Sequence, residues 1–287
     1  MTVHQAGTNF ALALSAILVL GGCFGGGGGG RSAASVGSPA AGATAVERIN
    51  AGTLAILPKK PGKNWVFDAY VSATAPDVAW SRFWTKSLDF SGVAWDSSRT
   101  LTLISPRHAL MAKHYQRKLG SLVIFHDAKG HEVPRAMIGI ANIAHTDLAV
   151  VLLQDAVPDG VKFYKVLPPD ESYPERLPGA YTLVTDRERK VHVHQIRILG
   201  GPAIAFTKAD GLDEAYYEKL ITGDSGNPSF AIVRGELVLI ETHTTGGPGA
   251  GPFVSAPENF AAINAAMQAL SQAHGMPAHQ LTTSSAP

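Results

Sequence analysis

The stretch ITGDSGNPSF at residues 221–230 sets a serine between two glycines. A serine hydroxyl is a weak nucleophile until a base takes its proton, and the carbonyl it attacks develops negative charge that amide N–H groups must receive. Glycine at 223 leaves its amide unshielded and admits backbone angles that other residues avoid. The segment therefore suits acyl transfer, although Gly223-Asp224-Ser225-Gly226 also makes an ordinary β-turn. Chemistry needs a base and an orienting group from elsewhere. Asp147 opens the apolar run of HTDLAVVLL (145–153), where a carboxylate drawn toward a core needs a partner such as an imidazole N–H. A strand-start aspartate capping its own turn is the simpler alternative. Histidines are offered by SPRHALMAKHYQ (105–116), which carries His108 and His114, and by His145 beside Asp147. Six residues of extended chain span roughly 20 Å, so His108 and His114 cannot both serve one serine unless the chain folds back.

Taken together these stretches resemble the trypsin/chymotrypsin-like serine proteases, whose nucleophile lies in Gly-Asp-Ser-Gly-Gly-Pro. Asn227 stands here in place of the second of the adjacent glycines, and asparagine is among the residues most tolerant of left-handed backbone. The resemblance spans about residues 65–273. It implies that Ser225 is the nucleophile, that the amides of Gly223 and Ser225 form the oxyanion hole, and that Asp147 orients the base. The segment TLISPRHALMAKHY (102–115) resembles the family's strand, turn and second strand followed by its histidine, which makes His114 the base. His108 is then a polar residue near the turn, and His145 a neighbour of Asp147 on the same strand face. The order His114, Asp147, Ser225 is also the family's. Its spacings, 147−114 = 33 and 225−147 = 78 residues, imply short surface loops.

The resemblance extends to specificity. Six residues before Ser225 is Lys219, where relatives that cut after Arg or Lys carry an acid. LIETHTTGG (239–247) corresponds to the strand lining the pocket. His243 lies near a histidine of glutamate-specific relatives, with Thr244 and Gly246 beside it. A cationic pocket pairs a carboxylate, so an acidic or small polar residue before the scissile bond is expected. The alternatives are Lys219 in solvent and His243 in the core. Asp224 pairs, in mammalian relatives, with an N-terminus released by cleavage; no such terminus is visible here, so another donor is expected. HVH (192–194) offers two imidazoles without an identifiable third ligand, so neither a metal nor a cofactor is expected. The activity implied is that of a serine endopeptidase. A catalytically silent peptide-binding lipoprotein and an esterase on the same residues are the alternatives.

These residues need a scaffold. The 287 residues are 45% hydrophobic and 16% charged, a globular composition. Lys+Arg 24 against Asp+Glu 23 argues against nucleic-acid binding through bulk charge. The basic stretch RERKVHVHQIR (187–197) reads as a solvated hairpin edge, and FHDAKGHE (125–132) as a polar hairpin. From about residue 60, short apolar runs, several alternating with period two, read as an all-β barrel or sandwich. VPDG (157–160) and LPPDESYPERLPG (167–179) divide them into two units. With the resemblance, the expected fold is all-β: a protease domain over 61–275 made of two six-stranded β-barrels, about 63–158 and 179–256, joined by a linker at about 159–178. Phe260, Ile263, Met267 and Leu270 recur at helical spacing, predicting a C-terminal helix over about 257–273 that packs on the second barrel. Residues 276–287 read as a flexible tail.

FALALSAILVLGG (10–22) is shorter than a bilayer span and reads as a signal-peptide core over residues 1–22, although no Lys or Arg precedes it. LGGC resembles the lipobox of bacterial lipoproteins, which implies lipid attachment at Cys23. The Gly/Ala/Ser-rich stretch 23–60 then reads as a tether. The expected protein is a monomer, lipid-anchored in a bacterial envelope and facing the periplasm or exterior, with peptide or protein substrates.

Overall fold

An unbroken apolar strand is stable only where both of its faces are covered, and LAVVLL is such a strand. In the computed structural model, which describes residues 42–69, 77–95 and 99–287, it forms β8 (Leu148–Leu153), and all six residues are buried. Alternate residues serve different cores. Ala149, Val151 and Leu153 face the inside of a barrel with Met111, Val123 and Phe125. Leu148, Val150 and Leu152 face outward to a second cluster shared with Leu183, Phe230 and Met267. The expected signal peptide and Cys23 lie outside the described residues.

The fold is all-β with two barrel-like units and a C-terminal helix. A small pair, β1 (Phe67–Ala69) and β2 (Ala79–Trp80), precedes them. The first unit contains β3 (Val93–Ala94), β4 (Leu101–Leu103), β5 (His108–Ala112), β6 (Leu122–His126), β7 (Glu132–Asn142) and β8. They run in the order β3-β4-β5-β8-β7-β6, a nearly closed barrel. FHDAKGHE is the β6–β7 turn, as expected: Asp127 Oδ1 accepts from the amides of Lys129 and His131.

The linker supplies β9 (Lys165–Val166) and a single turn, α2 (Tyr173–Arg176). The second unit contains β10 (Tyr181–Thr185), β11 (Val191–Gly200), β12 (Ala203–Lys208), β13 (Pro228–Val233), β14 (Glu236–Thr242) and β15 (Ala250–Pro252). The sheet order is β15-β12-β11-β10-β13-β14-β9. It curls toward closure where Glu241 bridges Phe253 and the Val254 amide donates to Ile240 O at 2.9 Å. The stretch expected as a solvated edge is instead part of an interior strand, β11, with Val191 to His194 buried; β10 pairs it along Val191 to Gln195 and β12 from His194 on. Of the stretch, Arg187 and Glu188 in the turn and Arg197 on the strand are exposed.

Three further expectations are corrected. Residues 45–56 are not tether but a helix, α1 (Ala45–Ile56). Thr44 and Glu47 form a reciprocal capping box at its start. Ala45, Ile49 and Thr53, spaced by four, bury one face against the second barrel. Asn50 binds the start of β10, accepting from Tyr181 N at 2.6 Å and donating to Gly179 O at 3.1 Å. The C-terminal helix, α2's successor α3 (Pro257–Ala273), has the expected bounds, with proline in its first turn where no amide is needed. However, its stripe packs on β7 and β8 of the first barrel. Gly139 makes room there, since a Cβ would stand 2.9 Å from Leu270. Nor is 276–287 a free tail: Leu281 is buried, and Val166 exchanges bonds with it, donating to Thr282 O at 2.9 Å and accepting from Ser284 N at 2.8 Å.

Two buried histidines tie these parts together. His108, fully buried in β5, meets Ser105 Oγ at 2.8 Å through Nδ1 and Ser271 Oγ of α3 at 3.2 Å through Nε2. His194 in β11 meets Pro248 O at 2.8 Å and Glu218 O at 3.0 Å. Burial, above all, pushes both imidazoles down to about 4. Folding therefore holds them neutral while the unfolded chain binds protons below about pH 6.5, so their contribution to stability is whole at neutral pH and is lost as pH falls toward 4. The shift of each corresponds to about 3 kcal/mol at complete protonation. Urea denaturation between pH 7 and pH 4 should show this loss, and His108→Gln should shrink it; an unchanged pH dependence in the variant would refute the assignment.

Candidate active site

Strand register brings the first two groups of the site together. β5 pairs antiparallel with β8 from His108↔Leu152 to Ala112↔Leu148. The next rung places Asp147 beside Lys113, whose amide donates to Asp147 O at 2.9 Å. The chain then turns through one 3-10 turn, Lys113–Tyr115. That turn aims two groups of His114 at one carboxylate: the amide donates to Asp147 Oδ1 at 2.8 Å, and Nδ1 lies 2.5 Å from Oδ2. Asp147 is half-buried and His114 open on one side, with 46% of its side chain exposed. Tyr115 stacks beside the imidazole, ring centres 6.2 Å apart, and Arg99 lies over Tyr115 at 5.1 Å.

The serine comes from the second barrel. Ser225 Oγ lies 2.9 Å from His114 Nε2, completing a chain Asp147–His114–Ser225. Gly226 makes the approach possible. It has φ +86°, and a Cβ there would press at 3.3 Å on both Ala112 N and Thr100 O of the first barrel. The amides of Gly223 and Ser225 have no acceptor among the described residues, as donors reserved for a ligand would not. Gly223, at φ +104°, adopts a backbone conformation that side-chain-bearing residues rarely take.

Asp224 finds its partners within the fold. Its Oδ1 accepts from Arg187 N at 3.0 Å and its Oδ2 from Ile221 N at 2.6 Å, while the Arg187 guanidinium donates to Thr222 O at 3.0 Å. Two main-chain amides thus satisfy the buried carboxylate, a donor other than a free terminus, as expected. Asn227 also departs from expectation. Its backbone is not left-handed. The residue is fully buried, its Oδ1 accepting from Trp95 Nε1 at 3.0 Å and Thr100 Oγ1 at 3.1 Å, its Nδ2 donating to Asp224 O at 3.0 Å. This side chain joins the first barrel to the serine loop, a role that local backbone preference does not reveal.

The other histidines fall away from the site. His108 lies in the second strand just after the turn, as the resemblance implies, but fully buried as a staple. His145 is not on the strand face but in the exposed β7–β8 turn, at φ +59°. Of the residues expected at the pocket, Lys219 is exposed. Leu220 and Gly247 exchange hydrogen bonds at 2.8 Å, so the segments carrying Lys219 and Gly246 face each other. Gly246 is exposed and Thr244 half-buried. His243 is a backbone clamp: its O accepts from Gly226 N at 2.8 Å and its N donates to Asn227 O at 2.9 Å. Its buried ring touches the Glu241 carboxylate through Nδ1, a close approach that lacks hydrogen-bond geometry. Glu241 Oε1 accepts from Ser229 Oγ at 2.6 Å. The partner Glu241 was not legible in sequence because both faces of β14 are buried after Glu236, so no alternation marks it.

The arrangement can polarise a hydroxyl, hold an imidazole in one tautomer and receive an oxyanion. Asn227→Ala removes the acceptor shared by Trp95 and Thr100, and should cost about 2–4 kcal/mol in urea denaturation. It should also slow reaction at Ser225; a variant as stable and as reactive as the parent would contradict the clamp. No protein-family model matches this chain and no curated protein matches it, so the reading of the site rests on its geometry.

Proposed function

We propose that the chain is a serine endopeptidase of the trypsin-like kind. One observation carries this reading: the hydrogen-bonded run Asp147–His114–Ser225 lies beside two amides that have no other acceptor among the described residues. Ser225 Oγ attacks the scissile carbonyl carbon as His114 Nε2 takes its proton, and the oxyanion receives the N–H groups of Gly223 and Ser225. His114 then gives that proton to the leaving amine as the C–N bond breaks, leaving an acyl-enzyme. A water, deprotonated by the same imidazole, releases the acid and restores Ser225. Asp147 stays ionised, holding Nδ1–H and favouring the imidazolium that forms. None of these steps needs a cofactor. The side chain before the scissile bond is acidic or small and polar on the strength of the resemblance alone, since His243 is buried against Glu241 and Lys219 is exposed.

A fluorophosphonate probe tests the enzyme directly. Wild type should be labelled, Ser225→Ala should not, and Asp147→Asn should hydrolyse peptides roughly 10⁴-fold more slowly. A peptide library should return acidic or small polar residues before the cut. Absence of labelling in wild type would point to a silent peptide binder, ester turnover without peptide cleavage to an esterase, and a preference for Arg or Phe would overturn the specificity.

We further propose anchoring in a bacterial envelope through a lipid on Cys23, on the strength of LGGC after an apolar run. Cys23→Ser should move the protein from the membrane to the soluble fraction, since lipid chains contribute binding in proportion to their buried methylenes; unchanged fractionation would refute it.

A further inference from the structure

The β10–β11 turn gathers a second cluster of polar groups. Asp186 precedes Arg187, whose amide holds Asp224, and His192 follows the turn on β11. Glu218 approaches from the segment that leads into the serine loop. His192 Nε2 lies 2.9 Å from Asp186 Oδ2 and 3.7 Å from Glu218 Oε2, and the three ligand atoms all fall within 4.8 Å of one another. We propose that Asp186, His192 and Glu218 bind a zinc ion that pins this turn to the serine loop.

The spacing fits the ion. Tetrahedral zinc with bonds of about 2.0–2.1 Å holds its ligand atoms about 3.3–3.4 Å apart, between the two distances observed. One imidazole with two carboxylates suits zinc, whereas calcium and magnesium take oxygen ligands. The ligands are also held. Asp186 Oδ1 accepts from Lys190 N at 2.9 Å, and the main chain of Glu218 is fixed by His194. His192 is buried, while the Glu218 side chain is 57% exposed and leaves a path for entry. A competing cation is present as well. Lys190 Nζ lies 2.6 Å from Glu188 and 3.8 Å from Glu218.

The zinc would join the two segments whose amides satisfy Asp224: Arg187 N adjoins Asp186, and Ile221 N lies three residues after Glu218. That consequence rests on the function proposed above; the metal site does not.

Calorimetric titration of zinc into the full-length, chelator-treated protein at neutral pH, with calcium in parallel, tests the site. One zinc per chain and no calcium binding are expected. Asp186→Asn and Glu218→Gln should each weaken zinc by at least about tenfold, and Lys190→Ala should tighten it by removing the competing charge. The exposed position of Glu218 keeps its variant foldable, and zinc should raise the melting temperature of wild type but not of Glu218→Gln. No zinc binding in wild type, calcium binding in its place, or zinc affinity unchanged from wild type in both ligand variants would overturn the site. Zinc binding without fluorophosphonate labelling would leave the site standing and overturn the peptidase.

Discussion

A slip of β8 by one residue against β5 would exchange the two faces of β8. Leu148, Val150 and Leu152 would turn into a barrel already filled by Met111, Val123 and Phe125, and their own cluster under α3 would lose its floor. The same slip would move His114 off the rung that sets it beside Asp147. Because both faces of β8 are buried, hydrophobic packing alone resists the slip over the whole strand. The geometry of the polar pair at the strand end is therefore enforced by apolar residues that never touch it. A hydrogen bond exposed on one side contributes little net stability and could not hold that register by itself.

The serine reaches this pair from another barrel, so the two units need a fixed relation. Gly226 sets the separation, since any side chain there would press on Ala112 and Thr100. Asn227 sets the orientation through three buried hydrogen bonds to Trp95, Thr100 and Asp224 O. Close packing and directional bonding thus act at adjacent residues. Asp224 between them and Gly223 is held by amides on both sides, which keeps the loop in the shape that leaves the Gly223 and Ser225 amides pointing at a ligand.

The parts legible in sequence were those whose signal is local. Period-two runs and the Pro-rich break indicated two β units, Pro257 and a helical stripe indicated α3, and Ser225, His114 and Asp147 stood out by their neighbours. What escaped was decided by distant partners. Asn227 looked like a glycine substitute, but Trp95 and Thr100, more than a hundred residues away, determine its role. Val191 to His194 looked like a solvated edge because charged residues flank them, yet Asn64 bonds Val191 on the side away from β10 and β12 pairs from His194 on. The α3 stripe cannot name its own receptor, and Gly139 on β7 supplied it. The helix α1 is a different case: Thr44 and Glu47 are a readable capping box, masked by the small residues before them.

Residue type left the assignment of the histidines open, and position decides it. A base must touch a carboxylate on one nitrogen and a hydroxyl open to substrate on the other. His114 does so because it follows the end of β5, where the strand's burial stops. His108, six residues earlier on that strand, lies in the same register but inside the core, where its nitrogens meet Ser105 and Ser271 and burial holds it neutral down to about 4. An imidazole so depressed cannot accept a serine proton near neutral pH, even with a serine on each side. The difference between the two histidines is depth: His108 lies inside β5 and His114 just beyond its end.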